Sequence, residues 1–481
     1  MTAPDAYSAS ESMFRCKLLA GARGMHSLGP GKAGTLKSRN RASVSAAPAN
    51  SKALQTFGQL LPEGHMLELV ADPADASKLN LLYWNGQSAK IAPTFEVDGR
   101  IYHAAELPPG LMQVMRLPTK STKHAPIGEL FTRIVTVFEE NLDLSRDNAE
   151  RLTFFSVATW FPEFLPSAPC LSISGPNVLQ GISVLRLLSC VCRRALMLAE
   201  VTAAGLHSLP DMHATLLILD QELPRKMKAL LCASSHRGLY VPGRGGLCDL
   251  YGPRAIFSLV NSTGFMHGEA IQVTLIPSRV QPAILDDSRL GQIAGTLQPS
   301  LLAYRLKTFP KVAQSRFDVP QFSFPTRGLA AALGACVPDD ERLAARLILL
   351  LEPQDNDVRA ERCSDPHFVL LEVLLGLVHE ALSTAGGRKR VEDPTVKEIA
   401  GLFNTLLRSR GGIREYSPEE LGWMLNNPHF SRIRSAAGMR VSLSAETSRR
   451  VHQLARAYDV VSLQTARPDC RECAEKPKTA V

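Results

Sequence analysis

The chain has no apolar run long enough to cross a bilayer. About 18 residues would be needed, and the longest candidates, 343–351 and 369–378, are broken by Arg346 and Glu372. Residues 1–40 are polar and basic, without the roughly 7–15-residue apolar core of a secretory signal. A cytoplasmic protein with no membrane partner is expected. Gly-x-Ser-x-Gly and His-Glu-x-x-His are both missing, which removes the usual starting points for hydrolase readings. The ten cysteines form no repeat. Cys170, Cys190, Cys192 and Cys232 sit in apolar runs, as reduced, buried thiols do. Cys190 and Cys192, two apart on a helix, face different directions and read as core. Only Cys470-x-x-Cys473 has ligand-like spacing, and no second pair follows it. His207, His213, His236 and His267 have no metal spacing, so no metal site is predicted.

What is present suits a soluble globular protein. Hydrophobic residues make up 45% and charged residues 21%, enough to build large cores over 481 residues in more than one domain. The net charge of +8 is unevenly placed, since residues 1–55 hold eight Lys/Arg against Asp5 and Glu11. The basic character therefore belongs mainly to an Ala/Ser/Gly-rich arm that cannot bury a core. Such an arm either tethers nucleic acid by counterion release or only solubilises.

Domain boundaries follow from shifts in pattern. Residues 1–55 read as a disordered basic arm. Residues 56–118 are a small β-rich module, with Asp98-Gly99 as a hairpin signal. Residues 119–168 are a helical neck, with one helix after Pro126 and another near Ser145. Residues 169–285 alternate strands and helices as a parallel α/β core does. Residues 286–364 are helical and charged, with a joint near Pro320–Pro325. Residues 365–460 order as helix, helix, helix, hairpin, helix. Thr395/Glu398 and Ser417-Pro418-Glu419-Glu420 mark helix starts there. Arg432, Arg434 and Arg440 line the hairpin around Gly438, and residues 461–481 are assigned to a flexible tail.

The chemistry-bearing stretch lies at the head of the α/β core. The strand Cys170–Ser174 leads into Gly175-Pro176, and a helix is predicted over Ser183–Arg194. A phosphate-binding loop needs Gly-x-x-x-x-Gly-Lys-Ser/Thr between such a strand and helix. In that register Gln180 replaces the second glycine, Gly181 the lysine and Ile182 the hydroxyl. Further strands are predicted at Leu196–Val201, Thr215–Asp220, Ala255–Val260 and Ile271–Ile276, with a helix at Leu223–Cys232. The apolar run Leu216–Leu219 ends in Asp220, followed by Gln221 and Glu222. Residues 238–251 read as a hairpin with Arg244 at its glycine-rich tip, and Asn261 ends the next strand.

In this order, residues 60–460 resemble the phage- and plasmid-type primase-helicases, a group of P-loop ATPases related to superfamily-three helicases with an AAA+-type core. The resemblance implies a P-loop NTPase-type parallel sheet, a helical neck and a C-terminal winged-helix-like domain. It implies nucleotide contact at Gly175, Pro176, Gln180, Gly181, Ile182 and Asn261, and catalysis through Asp220 and Glu222. It also implies DNA contact through Arg244 and the wing arginines Arg432, Arg434 and Arg440, together with ring assembly. The chain departs where catalysis needs it most. A charged hydrogen bond is worth about 2 kcal/mol, so loss of the lysine alone costs roughly thirtyfold in nucleotide affinity. Gly268, Glu269 and Ala270 stand where the family carries its arginine finger, a group worth about 10³–10⁵ in rate.

The leading expectation is a non-hydrolysing P-loop-derived protein of mobile-element origin, acting as a DNA-binding or assembly subunit without a cofactor. The second is an active ATP-dependent helicase or ATPase using magnesium and a displaced set, Asp220, Glu222 and Lys226 or Lys228. The third is a scaffold with no nucleic-acid role.

Overall fold

A computed structural model of the chain describes residues 53–474, except 76, 221–222, 244–245, 260–267, 277–284, 385–392, 427–429, 431, 437, 459, 461–466 and 468–469. Residues 1–52 of the predicted arm, and Glu222, Arg244 and Asn261, lie outside the described residues.

The first part is built of strands. Gly58–Leu60, Met66–Ala71, Leu79–Trp84 and Ala89–Ala92 form an antiparallel sheet, while Leu54–Thr56, Arg100–Ala104 and Thr94–Val97 form a second. The turn between the last two strands places Asp98 at φ 51° and Gly99 at φ 71°. Two left-handed residues in a row are what an Asp-Gly hairpin turn requires.

Helices α1 (Ile127–Asn141) and α2 (Arg146–Ala158) follow. Ile127, Leu130, Phe131, Ile134, Val135 and Phe138 bury one stripe of α1, the spacing of a 3.6-residue repeat. Ser145 caps α2 by accepting from the Asn148 amide at 3.3 Å.

The core runs β1 (Cys170–Ser174), α3 (Val178–Val191), β2 (Ala195–Leu198), β3 (Thr215–Asp220), α4 (Arg225–Ala233), β4 (Arg254–Ser258) and β5 (Ile271–Thr274). Its five strands are all parallel, in the order β5-β1-β4-β3-β2. Parallel strands covered on both faces are apolar throughout, as Ile173, Leu217, Ile218, Ala255, Ile256 and Phe257 illustrate. β1 and β3 lie where the sequence places them. The helix after β1 does not: it spans Val178–Val191 instead of Ser183–Arg194. Asn177 is the reason, because its side chain accepts from the Leu179 amide at 2.8 Å and starts the helix five residues early.

Three long helices come next, α5 (Asp287–Gln314), α6 (Phe324–Ala335) and α7 (Glu341–Cys363). The C-terminal part comprises α8 (Pro366–Thr384), α9 (Val396–Ser409), α10 (Pro418–Asn426), the antiparallel pair β6 (Arg432–Ser435) and β7 (Gly438–Val441), α11 (Ala445–Ala457) and α12 (Arg471–Ala474). It has its own apolar core, centred on Val369, Leu374, Ile399, Phe403, Leu421 and Val451. Thr395 and Glu398 make the predicted capping box at the head of α9. Among the described residues, no helix is long and apolar enough to cross a membrane. The architecture is mixed α/β, a five-stranded parallel sheet with many helices.

A buried ion cluster joins the N-terminal strands to this core. Glu68, in the strand Met66–Ala71, accepts from Arg193 Nε at 3.1 Å and Nη2 at 2.9 Å, from Arg305 Nε at 3.1 Å, and from Arg194. Arg193 also donates to Glu163 at 2.7 Å. Burial alone would raise the Glu68 pKa, but the three guanidinium charges outweigh it and lower the value to about 2.

Candidate functional site

The carboxyl edge of the parallel sheet is where an α/β fold receives ligands. Three strand ends meet there in one row: Ser174 pairs with Ser258, and Ser258 with Asp220. Asp220 therefore ends its strand level with the turn that leaves β1. Its side chain is outside what the structure describes, as are Gln221, Glu222 and Asn261.

The turn itself is short. Only Gly175, Pro176 and Asn177 separate β1 from α3, so Gln180, Gly181 and Ile182 stand in the first turns of a helix. Phosphate loops keep their span open so that successive amides converge on the anion. Here the span is closed by packing. The Gly175 amide donates to the Ser258 carbonyl at 3.2 Å, and a Cβ at Gly175 would come within 2.8 Å of Leu275 Cβ. Gln180 is buried and donates through Nε2 to the Ile276 carbonyl at 3.2 Å. Gly181 faces the Phe257 ring, which a Cβ there would approach to 2.6 Å. Ile182 is half-buried against the main core. Asn177, through its side-chain oxygen, takes one of the helix's first free amides.

One basic group of the core, Arg254, is committed to the core's own structure. Arg254 is buried and donates through Nη2 to the Ser234 and Gly252 carbonyls, both at 2.7 Å, and through Nη1 to Leu231. At the position read as lacking an arginine finger, Gly268 takes φ +79° and the Ala270 carbonyl accepts from Gln354 at 2.8 Å.

The C-terminal hairpin sorts its three arginines. Arg432 donates to the Gly422 carbonyl at 3.0 Å and to Asn426. Arg440 donates to the Asp393 carbonyl at 2.9 Å and to Ser435 Oγ at 3.3 Å. Both hold the hairpin to its neighbours. Arg434 is exposed, and no hydrogen bond or ion pair to a described residue holds it. Between hairpin and helices lies a groove of about 550 Å³, lined by Thr395, Lys397, Trp423, Arg432 and Met439 among others. Trp423 is 77% exposed at its edge. Sequence reading passed over Trp423 and Lys397. Trp423 could have been noticed as an apolar residue off the buried stripe of α10, on which Leu421 and Leu425 lie.

No protein-family model matches this chain, and no curated protein matches it. Among solved structures it aligns with the A form apo structure of the NrS-1 C-terminal region at 11% identity, covering 78% of this chain and 95% of that one with a TM-score of 0.30. A second apo structure of that region aligns at 13% identity over 79% of this chain and 96% of that one, with a TM-score of 0.31.

Proposed function

We propose that this chain is a non-hydrolysing protein derived from a P-loop ATPase, of the phage and plasmid primase-helicase kind, that binds DNA or assembles on it through its C-terminal domain. The observation that carries the reading is the groove beside the β6–β7 hairpin. An exposed indole and Lys397 line it, and Arg434, exposed on the same hairpin and paired in register with the lining residue Met439, adds a positive charge, the combination of stacking and backbone charge used by single-strand sites. The order of three helices, hairpin and helix, with a bridge between Thr395 and Arg440, supports a winged-helix reading of 365–460.

The absence of hydrolysis is supported by the turn after β1. Gln180 is buried and bonded to the Ile276 carbonyl, Phe257 packs against Gly181, and no lysine stands in the first turns of α3. On this reading the parallel sheet is retained as a framework carrying the DNA-binding module, and 286–364 link the two. Homo-oligomer assembly, implied by the family resemblance, belongs to the same proposal.

The test is a mobility-shift assay with the full chain, with a chain starting at residue 56, and with Arg434→Ala and Trp423→Ala. Binding that survives removal of the arm but weakens in both point variants supports the reading. Binding that vanishes with the arm alone reduces the DNA contact to a nonspecific tether. Turnover of ATP that depends on Asp220 would overturn the non-hydrolysing part.

A further inference from the structure

The structure assigns a metal site to the C-terminal domain, beyond the DNA reading and independent of it: we propose that His379, His452, Cys470 and Cys473 bind one zinc ion that fastens the end of the chain to helices α8 and α11. His379 lies on α8, His452 on α11, and Cys473 in the short helix α12 that Cys470 precedes. One ligand atom from each of the four lies within 4.8 Å of every other. The His379 Nε2–His452 Nε2 separation is 3.2 Å, Cys470 Sγ–His452 Nε2 is 3.2 Å, and Cys473 Sγ–His379 Nε2 is 3.3 Å. Bond lengths of about 2.0–2.1 Å to nitrogen and 2.3 Å to sulfur give a tetrahedron with edges of roughly 3.3–3.8 Å. The four atoms are therefore gathered at nearly the size of a zinc coordination shell.

The surroundings fit the ion. His379, His452 and Cys470 are buried. The Nδ1–H of His452 donates to the Ser448 carbonyl at 2.7 Å, which sets the tautomer and leaves the Nε2 lone pair directed at the other three groups. Without a cation, the single Nε2 lone pair of His452 is approached at 3.2 Å by both His379 Nε2 and Cys470 Sγ and can accept from only one of them. A divalent ion resolves that conflict. The two thiols release their protons to solvent, and the two thiolates offset the charge of the ion, so the buried site is neutral. Two sulfurs and two imidazoles in a tetrahedron favour zinc over hard cations. Four protein ligands leave no open position, which makes the site structural and not catalytic.

The site explains how the terminal segment is held. Half-buried Arg456 donates to the Glu472 carbonyl, and Arg449 lies 3.9 Å from the Glu472 carboxylate, a surface ion pair of the kind that contributes little. A metal shared with α8 and α11 ties Cys470 and Cys473 to both helices. Sequence spacing did not find the site because His379 and His452 are 73 residues apart.

The experiment measures metal in the full chain, expressed with zinc available and purified without chelator. About one zinc per chain is expected. Cobalt(II) added to the stripped protein should give the visible bands of a tetrahedral ion and a thiolate charge-transfer band. Cys473→Ser, at a half-exposed position where folding is least threatened, and His452→Ala should each lose both signals. Cys248→Ser, far from the cluster in sequence, should keep them. Zinc should restore a melting temperature lowered by chelation. Wild-type chain that holds no zinc and gives no cobalt spectrum overturns the proposal. So does a resting Cys470–Cys473 disulfide that takes up no metal after reduction.

Discussion

The Phe257 ring on β4 lies against Gly181 of α3 so closely that a Cβ at Gly181 would come within 2.6 Å of it. The residue that occupies the lysine position in a phosphate-loop register is thus a close helix–sheet contact. Gly181→Lys, alone or with Ile182→Thr, should fail to create ATP binding and should cost about 1–3 kcal/mol by overpacking. Urea unfolding and a fluorescent-nucleotide titration would measure both. Nucleotide affinity gained by this pair of changes would show that the loop can reopen.

Glu68 should be a main stability group of the described chain. Replacing it with Gln leaves Arg193, Arg194 and Arg305 buried beside a neutral side chain, and removing one partner of such a cluster costs about 3–5 kcal/mol. Chemical denaturation of Glu68→Gln at neutral pH checks this.

The same carboxylate predicts an acid limb. Its folded pKa, about 2, lies below the ordinary carboxylate value, so its contribution is complete above the unfolded pKa and is lost as pH falls toward 2. That contribution is on the order of 3 kcal/mol. Unfolding free energies of wild type and Glu68→Gln, followed from pH 6 to pH 2, should converge as the acid end is approached.

The hairpin arginines should separate by experiment. Arg434→Ala should lower DNA affinity and reduce the salt slope by about one while leaving the melting temperature unchanged. Arg432→Ala should instead lower stability, since its guanidinium holds the Gly422 carbonyl and Asn426. Trp423→Ala should cost about 1–3 kcal/mol of single-strand affinity if a base stacks on it.

Thiol reactivity should follow burial. Cys170 and Cys192 are pushed up to about 12 by desolvation, so a thiol reagent should reach them only on unfolding. Half-exposed Cys248 and Cys363 should react in the native state. Mass mapping of labelled peptides reads the order directly.

Much of the architecture was legible because local signals agreed with each other. The Asp98-Gly99 turn, the Ser145 cap, the Thr395/Glu398 box, the strands before Gly175 and through Asp220, and the hairpin around Gly438 all announce themselves within a few residues. The start of α3 was also written locally, in Asn177, but aligning 175–182 with a phosphate loop hides it. The wing arginines show the limit of counting charges. Arg432, Arg434 and Arg440 are equivalent as letters, and only the positions of the Gly422 and Asp393 carbonyls leave Arg434 exposed and the other two held.

By itself the sequence determined the alternation of strands and helices, the placement of basic charge in residues 1–55, and the glycine at 181 where a phosphate loop carries its lysine. Those are properties of neighbours along the chain, set by periodicity, caps and residue type. Tertiary structure alone decided that Gln180 and Phe257 close the turn after β1, that Glu68 meets three arginines from distant elements, and that two histidines 73 residues apart join the Cys470–Cys473 pair. Each depends on which elements pack together, and packing is settled by the whole core and not by any one segment.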